Sequence, residues 1–548
     1  MSHSESTSVD LVRGDEERVP PTTPAGAGGK KGLRFWLVLS ALLLSAFLAV
    51  LEAYAISTAL PTIVSDLHAS DFVWVASAYG IASTALLPLS GGLAEVFGRR
   101  PVALGCLFLF ALGGALAGAS QSMNMLIAAR VVQGAGAGGI LTLSQIILSD
   151  LVTLQERGTY NGLFGLTWAL GGGIGPVVGG ALSHHTTWRW LFYLNVPACA
   201  IVAIFMIFAL RLNRPPSGKI SRMLARLDWV GNTLVIASTC ACVIGLTWGG
   251  VVFSWHSAQV LTPLILGIVG LVVFFLYEWR VSKHPVVPLY LLANRTSMSG
   301  YAQISLAAFV NITLLYYLPV YYQACKDASP TASGVDLFGL CFSTGPVSIL
   351  VGASIAKLRR YRPQLWLGWC LIIVGLALMS TVSENTSKAA SVGYQVVTGC
   401  GIGILYSAAY FPVLAALPVT SNSPALALFM FLRTFAQAWG VTIGGAILQN
   451  ELQGRLPASL KQNLPDLDNI AYAIIPIIPS LQGPSKAIAR RAFAESLATV
   501  WRVLIAVSGV GLLASLPMRG LPLHAMKDEN WAMRGTERKV EGEPDEDG

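Results

Sequence analysis

Charge is what this sequence has least of. Lys, Arg, Asp and Glu make up 12% of its 548 residues, about half the share usual in a soluble protein. A soluble domain of this length needs a well-charged surface, so one large soluble domain is excluded. Cysteine is also sparse, with eight residues and no C-x-x-C pair. Cys240 and Cys242 stand too close together for a zinc knuckle, and only Cys325 falls in an expected loop. A disulfide framework and a metal site are therefore not expected. No G-x-x-x-x-G-K-S/T is present; the Gly-Lys steps at Gly29-Lys30 and Gly218-Lys219 lack its flanks. This argues against an ATP-driven motor. H-E-x-x-H, G-x-S-x-G and T-V-G-Y-G are absent too, so no enzyme, no cofactor and no ion filter is expected.

What is present is apolar length. Hydrophobic residues make up 54% of the chain, with 55 glycines among the remainder. A bilayer-spanning helix needs about 20 apolar residues. Fourteen stretches qualify: 35–57, 72–92, 102–120, 125–149, 161–183, 190–210, 229–249, 260–278, 297–322, 335–356, 364–382, 392–416, 425–448 and 496–517. Their apolar runs are continuous rather than alternating, which predicts helices and not barrel strands. The fold class is thus an all-α polytopic membrane protein, with the lipid bilayer as its first partner.

The net charge of +8 does not indicate nucleic acid, because the basic residues sit between apolar runs and not on one face. They set topology instead. With a cytoplasmic N-terminus, the short inside loops hold fifteen Lys and Arg, among them Arg99, Arg100, Arg157, Arg280, Lys357 and Arg360. The short outside loops hold three, Arg189, Lys326 and Lys388. Both termini are therefore expected in the cytoplasm. Met1 to Lys31 and 518–548 read as disordered polar tails, the first too mixed in charge for a signal peptide. A long outside loop is expected at 449–495, and Asn385-Thr386-Ser387 is a glycosylation sequon in another outside loop.

The segment ALLPLSGGLAEVFGRRP at 85–101 has an echo at 343–363, STGPVSILVGASIAKLRRYRP. GGGIGPVVGG at 171–180 is echoed more weakly by GVTIGG at 440–445. Both echoes suggest two similar halves around a central site.

Ionisable groups inside spans cost about 2.5–3.5 kcal/mol each on insertion scales, and they are functional candidates by default. Here they are Glu52, Arg130 and Arg433, with Asp336 near a span end. A lone carboxyl such as Glu52 can exchange protons near neutral pH, or it can be tied permanently to an arginine. Arg130 stays charged. It could perturb a nearby carboxyl, attract an anion, or snorkel to the interface. Gln133 and Gly134 follow it one turn on. Arg433 and Gln437 share a helix face, where they could line a cavity or join two helices. Gly91 to Arg100 form a tight turn. Gly98 permits a positive φ, and Glu95 could pair with a base across a helix gap. Gly171, Gly175, Pro176, Gly179 and Gly180 would weaken a soluble helix. In lipid they permit close approach and a bend.

Taken in order, these segments resemble the major facilitator superfamily, and within it the fungal 14-span drug:proton antiporter branch. Residues 91–100 match the cytoplasmic G-x-L-A-D-x-x-G-R-R/K motif, with Glu95 for the usual Asp. Arg130-Val-Val-Gln133-Gly134 matches R-x-x-Q-G, and 171–180 matches G-x-x-x-G-P-x-x-G-G. LEAYAISTALP at 51–61 resembles L-D-x-T-x-V-x-x-A-L-P, with Glu52 for Asp and Tyr54 for Thr. WRWLFYLNVP at 188–197 and RTFAQAWGVTIGG at 433–445 are also similar to family segments.

The resemblance implies a major facilitator fold of two pseudo-symmetric six-helix halves, 35–210 and 297–517, with two extra central helices in a 211–296 linker. It implies a part for Arg130 in proton coupling, and Glu52, the only acid placed well within a span, is the expected proton-coupling partner. It implies a cytoplasmic latch of Gly91, Glu95, Gly98, Arg99 and Arg100, and a sealing bend at 171–180. Tyr54, Gln133, Arg433 and Gln437 become candidates to line the cavity. The expected activity is proton-driven export of a small amphipathic toxin, drug or metabolite across the plasma membrane, by a monomer. The alternative is a vacuolar transporter of basic amino acids, which would need acidic groups in its cavity. A membrane sensor would need a longer cytoplasmic tail.

Overall fold

In lipid every backbone N–H and C=O must find its partner within the protein, and an apolar helix meets that demand by itself. The computed structural model describes residues 31–67, 73–211, 227–250, 253–457, 460 and 474–523. Among them, fourteen helical segments are long and apolar enough to cross a membrane. The N-terminal six are α1 (Leu33–Leu67), α2 (Val73–Phe97), α3 (Arg99–Gly118), α4 (Met123–Leu151), α5 (Leu154–His185) and α6 (Asn195–Ala209). A short helix, Arg189–Tyr193, leads into α6. The linker pair is α7 (Trp229–Trp248) and α8 (Ala258–Arg280). The C-terminal six are α9 (Arg295–Lys326), α10 (Phe338–Leu358), α11 (Arg362–Met379), α12 (Lys388–Ala408), α13 (Asn422–Arg455) and α14 (Pro484–Ser515).

The two halves repeat one packing plan. In the first, α2 and α3 pack on α4, and α1 packs on α5. In the second, α10 and α11 pack on α12, and α9 packs on α13. Counting from the start of each half, these are the same pairs. The long sequence echo falls on α2–α3 and α10–α11, and the shorter one on α5 and α13. Both turns of the long echo reverse the chain through a residue of positive φ, Gly98 at 93° and Arg359 at 53°. Glycine makes that conformation easy, whereas arginine adopts it against its steric preference.

The halves meet along two seams, α5 against α10 and α2 against α13. Small residues set how close they come. A Cβ on Gly158 would strike the carbonyl of Gly352, and one on Gly91 would lie 2.9 Å from the Cβ of Ala427. These contacts cluster at the end of the bundle that holds the Gly98 turn. At the opposite end α7 lies against both α2 and α13, and Thr442 of α13 donates to the Leu246 carbonyl of α7 at 3.4 Å. α8 packs on α7 and turns Ile265, Leu266, Val269 and Val272 outward, an apolar face suited to lipid.

Several sequence expectations shift. The loop expected at 449–495 is shorter, because α13 continues to Arg455 and α14 begins at Pro484. Arg455 pairs with Glu451 and Glu495 at 2.7 Å each, so these charged turns stay helical past the apolar stretch. Cys325, expected in a loop, is buried in the last turn of α9. The polar tails at 1–30 and 524–548, loop cations such as Arg214 and Lys219, and 461–473 lie outside the described residues.

Candidate functional site

Between the halves lies a cavity of about 1130 Å³. Its walls come from α1, α2, α5, α7, α9 and α13, with Leu141 of α4, and it reaches from mid-helix to the end that carries the α7–α8 turn. Tyr54, Trp168, Tyr316 and Tyr317 supply aromatic surface, and Ser77, Thr84, Thr434 and Gln437 supply scattered polar groups. Among the described residues, none that lines it is Asp, Glu, Lys or Arg; His256 stands at its mouth. Such a surface suits an organic molecule that is mostly apolar with a few hydrogen-bonding groups.

Behind the α1–α2 wall sits a charged cluster with no solvent contact. Arg130 Nη1 donates to Glu52 Oε1 at 2.8 Å, and both side chains are fully buried. The same nitrogen donates to Gln133 Oε1 at 2.8 Å, and Arg130 Nε donates to the Val75 carbonyl at 3.0 Å. Asn195 Nδ2 donates to Glu52 Oε2 at 2.5 Å. The guanidinium lies 4.3 Å from the centre of the Tyr79 ring, and Tyr79 also lines the cavity. Gln133 therefore faces Arg130 and not the cavity. Four helices, α1, α2, α4 and α6, are tied at this point. Breaking a buried pair by removing one partner typically costs about 3–5 kcal/mol.

The second half places Arg433 beside the cavity wall. It is 6% exposed, with its guanidinium 3.9 Å from the Trp168 ring centre and 4.2 Å from that of Tyr406. Gln437, one turn on, lines the cavity, as does Tyr54.

The glycine run of α5 wedges this helix between α1 and α10. A Cβ on Gly171 would lie 2.8 Å from Val50, and one on Gly175 would lie 3.2 Å from both the Leu51 carbonyl and Tyr54. A Cβ on Gly179 would strike the Ala55 carbonyl. Gly180 turns toward Thr331 on the other side. Pro176 sits within a continuous helix, and its carbonyl accepts from Thr58 Oγ1 at 2.8 Å.

At the Gly98 end, Arg99 is buried and its Nε donates to Asp150 at 3.1 Å. Glu95 is exposed, Arg100 partly so, and Gly91 packs on Ala427. Asp150 and Asn195 escaped the sequence reading. Asp150 lies one residue past the apolar stretch of α4, at the same end as the Arg99–Arg100 pair, and that shared end was the available signal. Asn195 lies within a segment noted only for its likeness to the family. Asn385 is exposed in the α11–α12 turn.

Residues 42–441 match the family model of the Major Facilitator Superfamily. The MFS-type efflux pump LUC4 of a Fusarium species is 36% identical over 530 residues, 95% of this chain and 93% of that protein. The efflux pump FUS6 of Gibberella fujikuroi is 36% identical over 521 residues, 92% of this chain and 93% of its own. The solved structure of the proton:xylose symporter XylE superposes with a TM-score of 0.56 at 12% identity, over 89% of this chain and 98% of that one. The sequence match and the shared architecture place this chain, a multi-pass membrane protein, in the major facilitator superfamily of transporters.

Proposed function

We propose that this protein is a proton-coupled exporter of small amphipathic organic compounds, acting as a monomer in the plasma membrane. The observation that carries the reading is the cavity. It is large, aromatic and free of acidic and basic lining groups among the described residues, apart from His256 at its mouth. It extends to one end of the bundle only, while glycine-mediated contacts pack the halves together at the other. That relatives are named efflux pumps supports the direction of transport. The fifteen-to-three distribution of loop cations supports cytoplasmic termini. The cavity then faces outward, and Asn385 would be open to glycosylation. A vacuolar carrier of basic amino acids would need carboxylates against its cargo, and the described lining residues include none.

In this reading the halves rock about the α5–α10 and α2–α13 seams. Facing outward, a movement of α1 and α2 opens the Glu52 site to water, Glu52 takes up a proton, its pairing with Arg130 weakens, and cargo leaves. Facing inward, Glu52 gives up the proton and cargo binds. The glycines of α5 let that helix slide closely past α1, and the Gly98 turn with Arg99 and Asp150 latches the cytoplasmic end. The driving force is ample. One charge crossing 100 mV gains about 2.3 kcal/mol, and one pH unit adds about 1.4 kcal/mol. Together they sustain roughly a several-hundred-fold concentration ratio.

The test is reconstitution of the full chain in liposomes, with 1-pyrenebutanol as a neutral amphipathic probe. An imposed pH gradient should drive its uphill movement, and a protonophore should abolish it. Movement indifferent to the gradient would refute proton coupling.

A further inference from the structure

Four arginines are buried among the described residues, and three have acceptors. Arg99 pairs with Asp150, Arg130 with Glu52, and Arg157 donates to the Ser149 carbonyl at 3.0 Å. Arg433 differs. Its Nε and Nη2 are buried without a hydrogen-bond partner. Aromatic rings of Trp168 and Tyr406 lie against the guanidinium, but they accept no N–H along its edge. Arginine cannot shed its proton to escape this position. An unanswered charge at such a site is costly unless something else supplies the acceptor.

The neighbouring groups are also unanswered. The Nε2 of Gln437 is buried and unpartnered, and so is the hydroxyl of Tyr406. All of these atoms can donate. Trp168, Thr434 and Gln437, which surround Arg433 in space or in sequence, line the cavity. The structure thus gathers several idle donors just behind an apolar and aromatic stretch of the wall, next to Trp168, Thr434 and Gln437, so that a side-chain shift would bring them to the cavity. Moreover, Nε and Nη2 form the edge of the guanidinium that receives a carboxylate side-on, in two parallel hydrogen bonds.

We propose that Arg433, Gln437 and the Tyr406 hydroxyl form an oxyanion-recognition site, and that the preferred cargo is an aromatic or polyunsaturated organic acid. Its carboxylate, or an equivalent acidic enolate, docks on Arg433 while its apolar body lies along Trp168 and Tyr316. This deepens the exporter reading and rests on it for the word cargo. It gives the site a sign, because a cationic compound would approach Arg433 with no Asp or Glu lining the cavity among the described residues. It also fits outward movement, since a negative inside potential assists the exit of an anion.

The experiment measures equilibrium binding to the full chain in lipid nanodiscs, with no gradient. Three fluorescent probes share one body: 1-pyrenebutyrate, 1-pyrenebutanol and 1-pyrenebutylamine. The butyrate should bind at least about tenfold more tightly than the alcohol, and the amine should bind weakest. Arg433→Gln should reduce the acid-to-alcohol ratio to about one, with Arg433→Lys between. Tyr406→Phe, a gentler change, should narrow the ratio severalfold, and thermal melting confirms that each variant is folded. Equal binding of acid and alcohol, preference for the amine, no binding of the acid, or an acid preference that survives Arg433→Gln would each overturn the assignment. Acid preference together with failed gradient-driven movement would count against the exporter reading alone.

Discussion

Arg130 holds Glu52 at 2.8 Å in a space that solvent does not reach, with Tyr79 between the pair and the cavity. In the proposed cycle, coupling by this pair would therefore be indirect. Tyr79 lines the cavity and would meet a cargo there; its hydroxyl donates to the Ala49 carbonyl of α1 at 2.7 Å, and α1 carries Glu52. A change in the charge of Glu52 is felt by four helices at once, and cargo is felt by two of them.

Glu52→Gln fixes position 52 in a neutral form that still offers an oxygen to Arg130. The variant should exchange cargo across liposomes at near-normal rates but lose movement driven by a pH gradient. Counterflow and gradient assays on the same preparation separate the two. Uphill transport with normal pH dependence in Glu52→Gln would make the pair purely structural. Arg130→Ala should be harsher, because it leaves a buried carboxylate alone. A loss of about 3–5 kcal/mol is expected, read as a lowered Tm.

The membrane-spanning plan was legible in the sequence because bilayer burial acts on each span separately, and hydropathy registers it residue by residue. The latch echo at 343–363 was legible too, since two halves with one packing plan need the same turn twice. The partners of buried charges were not. Asp150 finds Arg99 across 51 positions and Asn195 finds Glu52 across 143, and no local period marks such pairs. The ends of α13 and α14 were missed for a related reason. Arg455, Glu451, Arg491 and Glu495 extend the helices by charge pairing where hydropathy has already fallen. Arg433 was recognised as a candidate, but only the assembled bundle shows that its Nε and Nη2 are buried without an acceptor among the described residues.

The α5 glycines should rank by the room around them. A Cβ at Gly172 would lie 3.8 Å from Tyr54, an ordinary contact; at Gly175 it would lie 3.2 Å from the Leu51 carbonyl; at Gly179 it would overlap the Ala55 carbonyl. Alanine should therefore be tolerated at 172, cost a modest amount at 175, and cost most at 179. Overpacking of this kind typically costs about 1–3 kcal/mol. Thermal melts of the three variants give the order, and Gly175→Leu should abolish transport while the protein still inserts. Normal transport by that variant would show that α1 and α5 need not touch.

Arg99 and Asp150 should behave as a coupled pair. Asp150→Asn or Arg99→Gln alone leaves a buried charge without its counterpart and should lower the Tm. A double-mutant cycle should show a coupling of about 0.5–3 kcal/mol, and the swapped pair Arg99→Asp with Asp150→Arg should regain part of the loss. If the singles add without coupling, the two residues hold the turn independently.

The direction in which the cavity opens is testable on intact cells. Gln453 and Ser254 line the cavity at its mouth, and both are exposed. Arg360 is exposed in the α10–α11 turn at the other end of the bundle. A membrane-impermeant maleimide should label Gln453→Cys and Ser254→Cys from outside, whereas Arg360→Cys should react only after permeabilisation. The native background should be low, because seven of the eight cysteines are buried or partly covered, and Cys370 is the exposed one. Preincubation with 1-pyrenebutyrate should slow labelling at Gln453 if the probe occupies the same space. Labelling of Arg360→Cys from outside would invert the topology, and with it the outward-facing cavity argued from the loop charges.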